Sequence, residues 1–137
     1  MNFTIKVEDH TPERMNKLES VLGRFVVEGG RLLERKMKSA MLTGKSGRRY
    51  KRGKDSIHIA SAPGEAPADD SGNLLGSIDL QEISQLEAVL GTPVEYAAFL
   101  ETGTSRMAAR PMWEKTAKEA LPTLETLLRT LVKEARA

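Results

Sequence analysis

Residues 96–113 read Tyr-Ala-Ala-Phe-Leu-Glu-Thr-Gly-Thr-Ser-Arg-Met-Ala-Ala-Arg-Pro-Met-Trp, and they combine apolar anchors, a glycine turn and a helix start. Tyr96, Phe99 and Leu100 fall at helical spacing, which predicts a short helix packed on the core. Gly103 can take the positive φ that ends such a turn. Pro111 is expected at the first position of the following helix. The segment should therefore join the core to the last helix.

Downstream of Pro111, apolar residues recur every three or four positions, which predicts a long C-terminal helix. The stripe consists of Met112, Trp113, Thr116, Ala120, Leu124, Leu127, Leu128, Leu131 and Ala135. Pro122 interrupts it, and an interior proline removes one helical hydrogen bond and clashes with the preceding turn. We expect either a kink or two abutting helices at this point.

Upstream of residue 96, the pattern indicates a small antiparallel sheet. Residues 77–85 and 86–91 form two strand-like stretches, with a turn or bulge expected near Ser84. Pro93 should end the second strand because proline cannot donate to a strand ladder. Residues 2–8 alternate apolar and polar side chains, which predicts a further short strand with one buried face.

The first strand should lead into a long N-terminal helix. Thr11 is expected at the N-cap, with Pro12 at the first helical position and Glu13 beside the positive end of the helix dipole. The apolar stripe that follows consists of Met15, Leu18, Leu22, Phe25, Gly29, Leu33, Met37 and Ala40 or Met41. Gly29 and Gly30 lie in its middle, where they predict either a bend, which we favour, or close approach by another element.

Between the long helix and the sheet, residues 43–73 are predicted to form a long exposed loop within the domain. Its first part, residues 43–54, contains six basic residues and no acidic one. The interaction candidates there are Lys45, Arg48, Arg49, Tyr50, Lys51, Arg52 and Lys54. Residues 56–61 alternate but are too short to define a strand securely, and residues 62–73 are rich in proline, glycine and acids, which predicts an extended arm.

These elements define an α+β fold, in which a small antiparallel sheet is packed by the long N-terminal helix and the proline-kinked C-terminal helix. The 137 residues fit a single domain, residues 1–137. Without cysteine, the core has no disulfide framework, which fits a reducing compartment. No apolar run approaches the roughly 20 residues of a membrane span, and no signal peptide is indicated, so no membrane partner is expected.

The net charge of +2 conceals a strong partition along the chain. Residues 55–104 carry nine acidic residues and no lysine or arginine, whereas residues 105–137 carry seven basic residues against four acidic ones. If these segments lie on different faces, copies of the chain can attract one another head to tail or across a ring. The alternative is that the charges only solvate the surface.

No residue pattern indicates catalysis. His10 and His58 have no second histidine or cysteine at metal-ligand spacing, and no nucleophile or phosphate-loop motif occurs. Glu65, Asp69 and Asp70 lie close together in the arm and could attract a cation, but two adjacent aspartates in a proline- and glycine-rich loop usually face solvent. The sequence therefore predicts a protein that is not an enzyme and that holds no metal or cofactor.

Three short motifs resemble a family of tailed-phage proteins, the small neck or tail-completion proteins of the head-tail junction. They are residues 60–67, Ala-Ser-Ala-Pro-Gly-Glu-Ala-Pro; residues 71–74, Ser-Gly-Asn-Leu; and the run 96–111 with its Glu101, Gly103 and Arg110-Pro111. The resemblance covers about residues 12–135. The matching positions are Pro63, Gly64, Ser71, Gly72, Leu74, Tyr96, Glu101, Gly103, Arg110 and Pro111.

The resemblance implies a structural virion protein, encoded by a phage or prophage. Copies would form an oligomeric ring, for which sixfold symmetry is the natural expectation, joining the head connector to the tail-tube or tail-terminator proteins. The protein would be in the host cytoplasm before assembly and in the virion afterwards. Within the motifs, we expect Tyr96, Leu74 and Pro111 to provide packing or geometry. Glu101 and Arg110 are candidates for a charge pair around the turn at Gly103, either within one subunit or between two.

A different class of function also fits the sequence. Basic residues interleaved with an aromatic one can contact phosphates and bases, so residues 45–54 could serve a nucleic-acid-binding module, or contact DNA passing through a neck. A binding module should lose affinity steeply with salt and with neutralisation of this loop. A neck component should assemble with its partners without DNA.

Overall fold

The computed structural model describes residues 1–8, 15–54, 56–68 and 72–136. Along these residues lie β1 (Asn2–Lys6), α1 (Met15–Leu42), β2 (Arg49–Arg52), β3 (Ser56–Ile59), α2 (Asn73–Ser77), β4 (Asp79–Ser84), β5 (Glu87–Gly91), α3 (Tyr96–Thr102) and α4 (Trp113–Arg136). A long helix near each end and a small antiparallel sheet confirm the predicted α+β class. The predicted cap residues Thr11, Pro12 and Glu13 lie outside the described residues.

The main sheet has the strand order β1-β5-β4, and both pairs are antiparallel. Its buried face is built by cross-strand neighbours, because Phe3 pairs with Leu90 and Leu90 pairs with Leu80. The β4–β5 register shifts between Glu82 and Ser84, which confirms the irregularity predicted near Ser84. The extra residue bends β4 close to the turn that leads into β5.

The core lies between this sheet and the antiparallel contact of α1 with α4. Met37, Met41, Ile78, Leu90 and Trp113 are almost completely buried in one cluster. Phe3 meets the Trp113 ring edge-on, with ring centroids 5.0 Å apart. Burying each of these side chains stabilises the fold by about 1.5–3 kcal/mol. Trp113, the first residue of α4, therefore ties the last helix to the first strand.

Gly29 and Gly30 let α1 approach two other elements closely. A methyl group built on Gly30 would lie 2.8 Å from Leu80 Cδ1 of β4, and one on Gly29 would lie 3.1 Å from Leu124 Cδ2 of α4. Both glycines are buried. Of the two explanations that the sequence left open, the structure supports close approach, although we had favoured a bend.

The last helix begins two residues later than predicted, at Trp113 instead of Pro111. The Thr116 amide donates to the Met112 carbonyl at 3.0 Å, so Met112 occupies the cap position. Pro122 lies inside α4, which continues through it as one helix. Of the two predicted outcomes, two abutting helices are therefore excluded.

The exposed loop predicted for residues 43–73 contains more regular structure than expected. β2 and β3 pair antiparallel as a hairpin, with Tyr50 opposite His58 and Lys51 opposite Ile57. The prediction of a loop for residues 49–52 is therefore wrong, because cross-strand pairing overrides their high charge and weak strand pattern. None of the helices in the described ranges has the length and apolar character needed to cross a membrane.

Candidate functional site

The motif residue Glu101 caps α4 from outside the helix. Its carboxylate accepts the backbone N–H groups of Met112 at 2.7 Å, Trp113 at 3.0 Å and Glu114 at 2.9 Å. The first amides of a helix have no partner within the helix, and the positive end of the helix dipole favours a negative charge there. Glu101, at the end of α3, thus fixes where α4 begins and how it meets α3.

Arg110 connects the same joint to the arm that follows the hairpin. Its Nε donates to the carbonyl oxygen of Ser61 at 3.2 Å and to Ser61 Oγ at 3.1 Å, while Nη1 donates to the Ala108 carbonyl at 2.9 Å. The Arg110 amide also donates to the Leu100 carbonyl at 2.6 Å. Arg110 therefore bridges α3 and the segment around Ser61.

The ion pair that we predicted between Glu101 and Arg110 is not formed within the chain. Both side chains belong to the described part of the sequence, and no contact between their charged groups within 4.0 Å occurs there. Each side chain has other partners, because Glu101 binds helix amides and Arg110 binds carbonyls. Side-chain-to-backbone bonds across a joint have no signature in sequence spacing, so the sequence could not reveal them.

Gly103 forms the turn between α3 and this joint, as predicted. Its φ is 77°, and its amide donates to the Phe99 carbonyl at 2.8 Å. A methyl group at this position would lie 2.9 Å from both Ala109 N and Met107 O. Thr104 and Met107 then exchange two backbone hydrogen bonds in a tight bridge. Turn formation thus explains the backbone conformation of residues 103–107, and no bound anion is needed to explain it.

The proline- and glycine-rich motif packs directly against the start of α4. The Gly64 amide donates to the Ala109 carbonyl at 3.0 Å, and Lys115 Nζ donates to the Gly64 carbonyl at 2.5 Å. Pro63 precedes this contact and is exposed. Residues 61–65, 101–103 and 109–115 consequently form one hydrogen-bonded unit, which we call the α4 joint.

Glu65 fastens the α4 joint to the segment after α1. Its carboxylate accepts hydrogen bonds from Ser46 Oγ, from the Ala62 amide at 2.8 Å and from the Ser46 amide at 3.2 Å. These three bonds, with that from Ser46 Oγ the largest cause, lower the pKa of Glu65 from 4.5 to about 2. Glu65 is therefore a structural clamp between these two segments.

The remaining motif residues show different degrees of burial. Leu74 is buried in α2 as predicted, and Gly72 precedes that helix with a φ of 76°. Tyr96 is 44% exposed and Phe99 is 57% exposed, so the prediction that they anchor the core is wrong. Ala97 and Leu100 supply the inward face of α3 instead. Ser71 lies outside the described residues.

The basic residues of the predicted loop divide between a structural and an exposed set. Lys45 Nζ donates to the Ala40 carbonyl at 2.6 Å near the end of α1, and partial burial lowers its pKa, with Glu65 opposing and Lys115 reinforcing that shift. Arg48, Arg49, Lys51 and Lys54 are exposed. Arg52 ends β2. Within the described part of the predicted loop, these four exposed residues therefore offer positive charge to a partner.

A shallow groove separates the hairpin from α2 and α3. It encloses about 310 Å³ and is lined by Tyr50, His58, Leu74, Tyr96 and Leu100, among others. The Tyr50 and His58 rings lie 5.1 Å apart across the two strands. Within the described residues, no group of three or more His, Asp or Glu side chains is arranged to hold a metal ion. Its walls combine aromatic and aliphatic side chains with polar ones, among them Ser61 and Asn73.

Comparisons of this chain with protein-family models, with curated proteins and with solved structures find no significant match. The resemblance to phage neck proteins therefore rests on the motif residues alone.

Proposed function

We propose that this chain is a structural protein of the tailed-phage head-tail junction, which assembles as a ring joining the head connector to the tail and turns over no substrate. The observation that carries this proposal is the α4 joint. Residues 61–65 and 109–111, which carry part of the resemblance to neck proteins, are linked there by direct hydrogen bonds, and the motif residue Glu101 accepts the Met112 amide that follows them. Motifs that build one structural unit support a resemblance better than scattered matches do.

The exposed apolar side chains support an assembling protein. Several apolar side chains are each more than two fifths exposed. They include Tyr96 and Phe99 on α3, Ile57 on the hairpin, Ile83 on β4 and Leu121 on α4. Single exposed apolar residues are ordinary, but here they recur on several elements of a small chain. Neighbouring subunits, the head connector and tail proteins would cover them in the completed neck.

Deletion of the gene in its own phage or prophage tests the proposal. The expected result is the accumulation of DNA-filled heads and free tails in place of joined particles, with joining restored by the chain supplied from a plasmid. Particles that join and infect normally without the chain would contradict the proposal.

One observation favours nucleic-acid binding as a second candidate. The hairpin presents Arg48, Arg49, Lys51 and Lys54 to solvent around an exposed Tyr50, the combination that tracks a phosphate backbone. Titration of duplex and single-stranded DNA at several salt concentrations tests it. Binding through the hairpin predicts that R49Q/K51Q reduces the slope of log K against log salt by about 2. An unchanged slope, or no binding at low salt, would exclude this candidate.

A further inference from the structure

Strand β4 presents an acidic free edge. It forms one edge of the three-stranded sheet, hydrogen-bonded to β5 on one side and to no other strand of the described chain on the other. Asp79 and Glu82 are exposed on it and make no ion pair with any described residue, and Ile83 is 58% exposed beside them. An uncovered edge strand is a template for pairing with another chain.

The hairpin presents a basic free edge of similar length. β2 pairs only with β3 among the described strands, and Arg49 and Lys51 are exposed on it. Lys51 lies opposite Ile57, which is 58% exposed. A two-stranded sheet is marginally stable by itself, so an added strand would stabilise it.

The charges of the two edges select which pairing can form. Two β4 edges would bring acids together, and two β2 edges would bring bases together, whereas β2 against β4 brings bases close to acids. Arg49 and Lys51 share one face of β2, and Asp79 and Glu82 project from opposite faces of β4, so one of these acids faces the two bases and the other lies across the sheet. Arg24 is the basic residue that lies beside Glu82 in the groove between α1 and β4. It already forms ion pairs with Glu28 and Glu134. The acidic edge is therefore not neutralised by its own chain.

We propose that the β2 edge of one copy pairs with the β4 edge of a second copy, forming a continuous sheet across the subunit boundary. Within one chain the two strands belong to separate sheets, so the contact must form between copies. Because the two edges differ, the contact is head-to-tail, and repetition closes into a ring or continues as a filament. Its interpretation as the ring contact of the neck rests on the proposed function. Strands of four and six residues make a small interface, so the free protein pairs weakly until other partners hold it.

Thiol cross-linking detects such a weak contact, because the chain contains no cysteine. A tagged I57C chain is mixed with an untagged I83C chain and treated with a short bismaleimide. When β2 pairs with β4, Ile57 of β3 lies two strand spacings from β4, about 10 Å, which the reagent spans. The I57C chain mixed with L121C is the matched control, since Leu121 is 56% exposed on α4 and Ile83 is 58% exposed on β4.

The expected result is a heterotypic I57C–I83C product well above both the control and the homotypic products. Reversing the basic edge with R49E/K51E should lower its yield roughly tenfold, and adding D79K/E82K to the other chain should restore it. A yield equal to the control, or one unaffected by charge reversal, overturns the inference. If the product does not form but the chain is required for head-tail joining, the pairing of β2 with β4 is wrong and the proposed function stands. If the product forms but heads and tails join normally without the chain, the proposed function fails and the pairing stands.

Discussion

The Glu101 carboxylate accepts the Met112 amide at 2.7 Å, and this bond joins the end of α3 to the start of α4. Two further amides of α4 converge on the same carboxylate, so one side chain provides the cap that the helix does not contain itself. Trp113, which packs against Phe3 of β1, is one of these donors. Glu101 thus positions the aromatic contact between the last helix and the sheet.

Removal of this cap should destabilise the protein. E101A should reduce the free energy of unfolding by about 2 kcal/mol, because it leaves helix amides without an acceptor. Urea unfolding followed by Trp113 fluorescence measures the change. The control is E125A, on the exposed face of α4, which should alter stability by no more than about 0.5 kcal/mol. Equal effects of the two substitutions would show that Glu101 is not a cap.

The turn at Gly103 should not tolerate a side chain. G103A should destabilise by about 1–3 kcal/mol, because φ is positive and the methyl group would collide with the backbone of residues 107–109. Thermal and urea unfolding measure it. G44A provides a matched control, since a methyl group there meets nothing within 4 Å. A G103A protein as stable as G44A would mean that the turn has another conformation in solution.

Acid should loosen the segment that Glu65 holds. Its pKa is lowered from 4.5 to about 2 in the folded chain, so its contribution to stability is complete above about pH 5 and is lost as the pH falls towards 2. E65Q should be less stable than the parent near neutral pH and should lose less stability on acidification. Unfolding measured across this range tests the prediction, with E125Q as the control that should keep the parental pH dependence. Parallel curves for E65Q and the parent would contradict the clamp.

The bond from Arg110 to Ser61 should protect the arm from local opening. R110K loses the planar guanidinium that reaches Ser61 and Ala108 together. The Gly64 amide, which donates to the Ala109 carbonyl, reports on the arm. Its hydrogen exchange should become roughly tenfold faster, which corresponds to about 1.4 kcal/mol of lost local stability. Hydrogen exchange resolved by residue measures this. R106K, on the exposed part of the same turn, should leave Gly64 unchanged. Unaltered exchange in R110K would show that Arg110 does not hold the arm.

The sequence predicted features that depend on local periodicity. The long helices followed from apolar spacing such as Leu33 to Met37 to Met41, and the β4–β5 pair followed from alternation and from the break near Ser84. Both signals arise because side chains share a face at fixed spacing. The turn at Gly103 could also be predicted from the sequence, since a turn requires a residue that tolerates positive φ.

Features set by long-range contacts could not be predicted from local sequence patterns. The distant acceptors of Arg110 are the carbonyl and hydroxyl oxygens of Ser61, 49 positions away. The donors to Glu101 are backbone amides, which have no side-chain signature. Tyr96 and Phe99 fit a core pattern, but the inward face of the short α3 is taken by Ala97 and Leu100. The hairpin was missed because its strand pattern is weak and its charge is high, so pairing between residues 49–52 and 56–59 had to be seen in the structure.

The most direct test of the central claim is quantitative mass spectrometry of purified, DNA-filled particles of the phage that encodes this chain. We predict that the chain is present in these particles in a fixed ratio to the head connector. Its absence from joined, infectious particles would contradict the account.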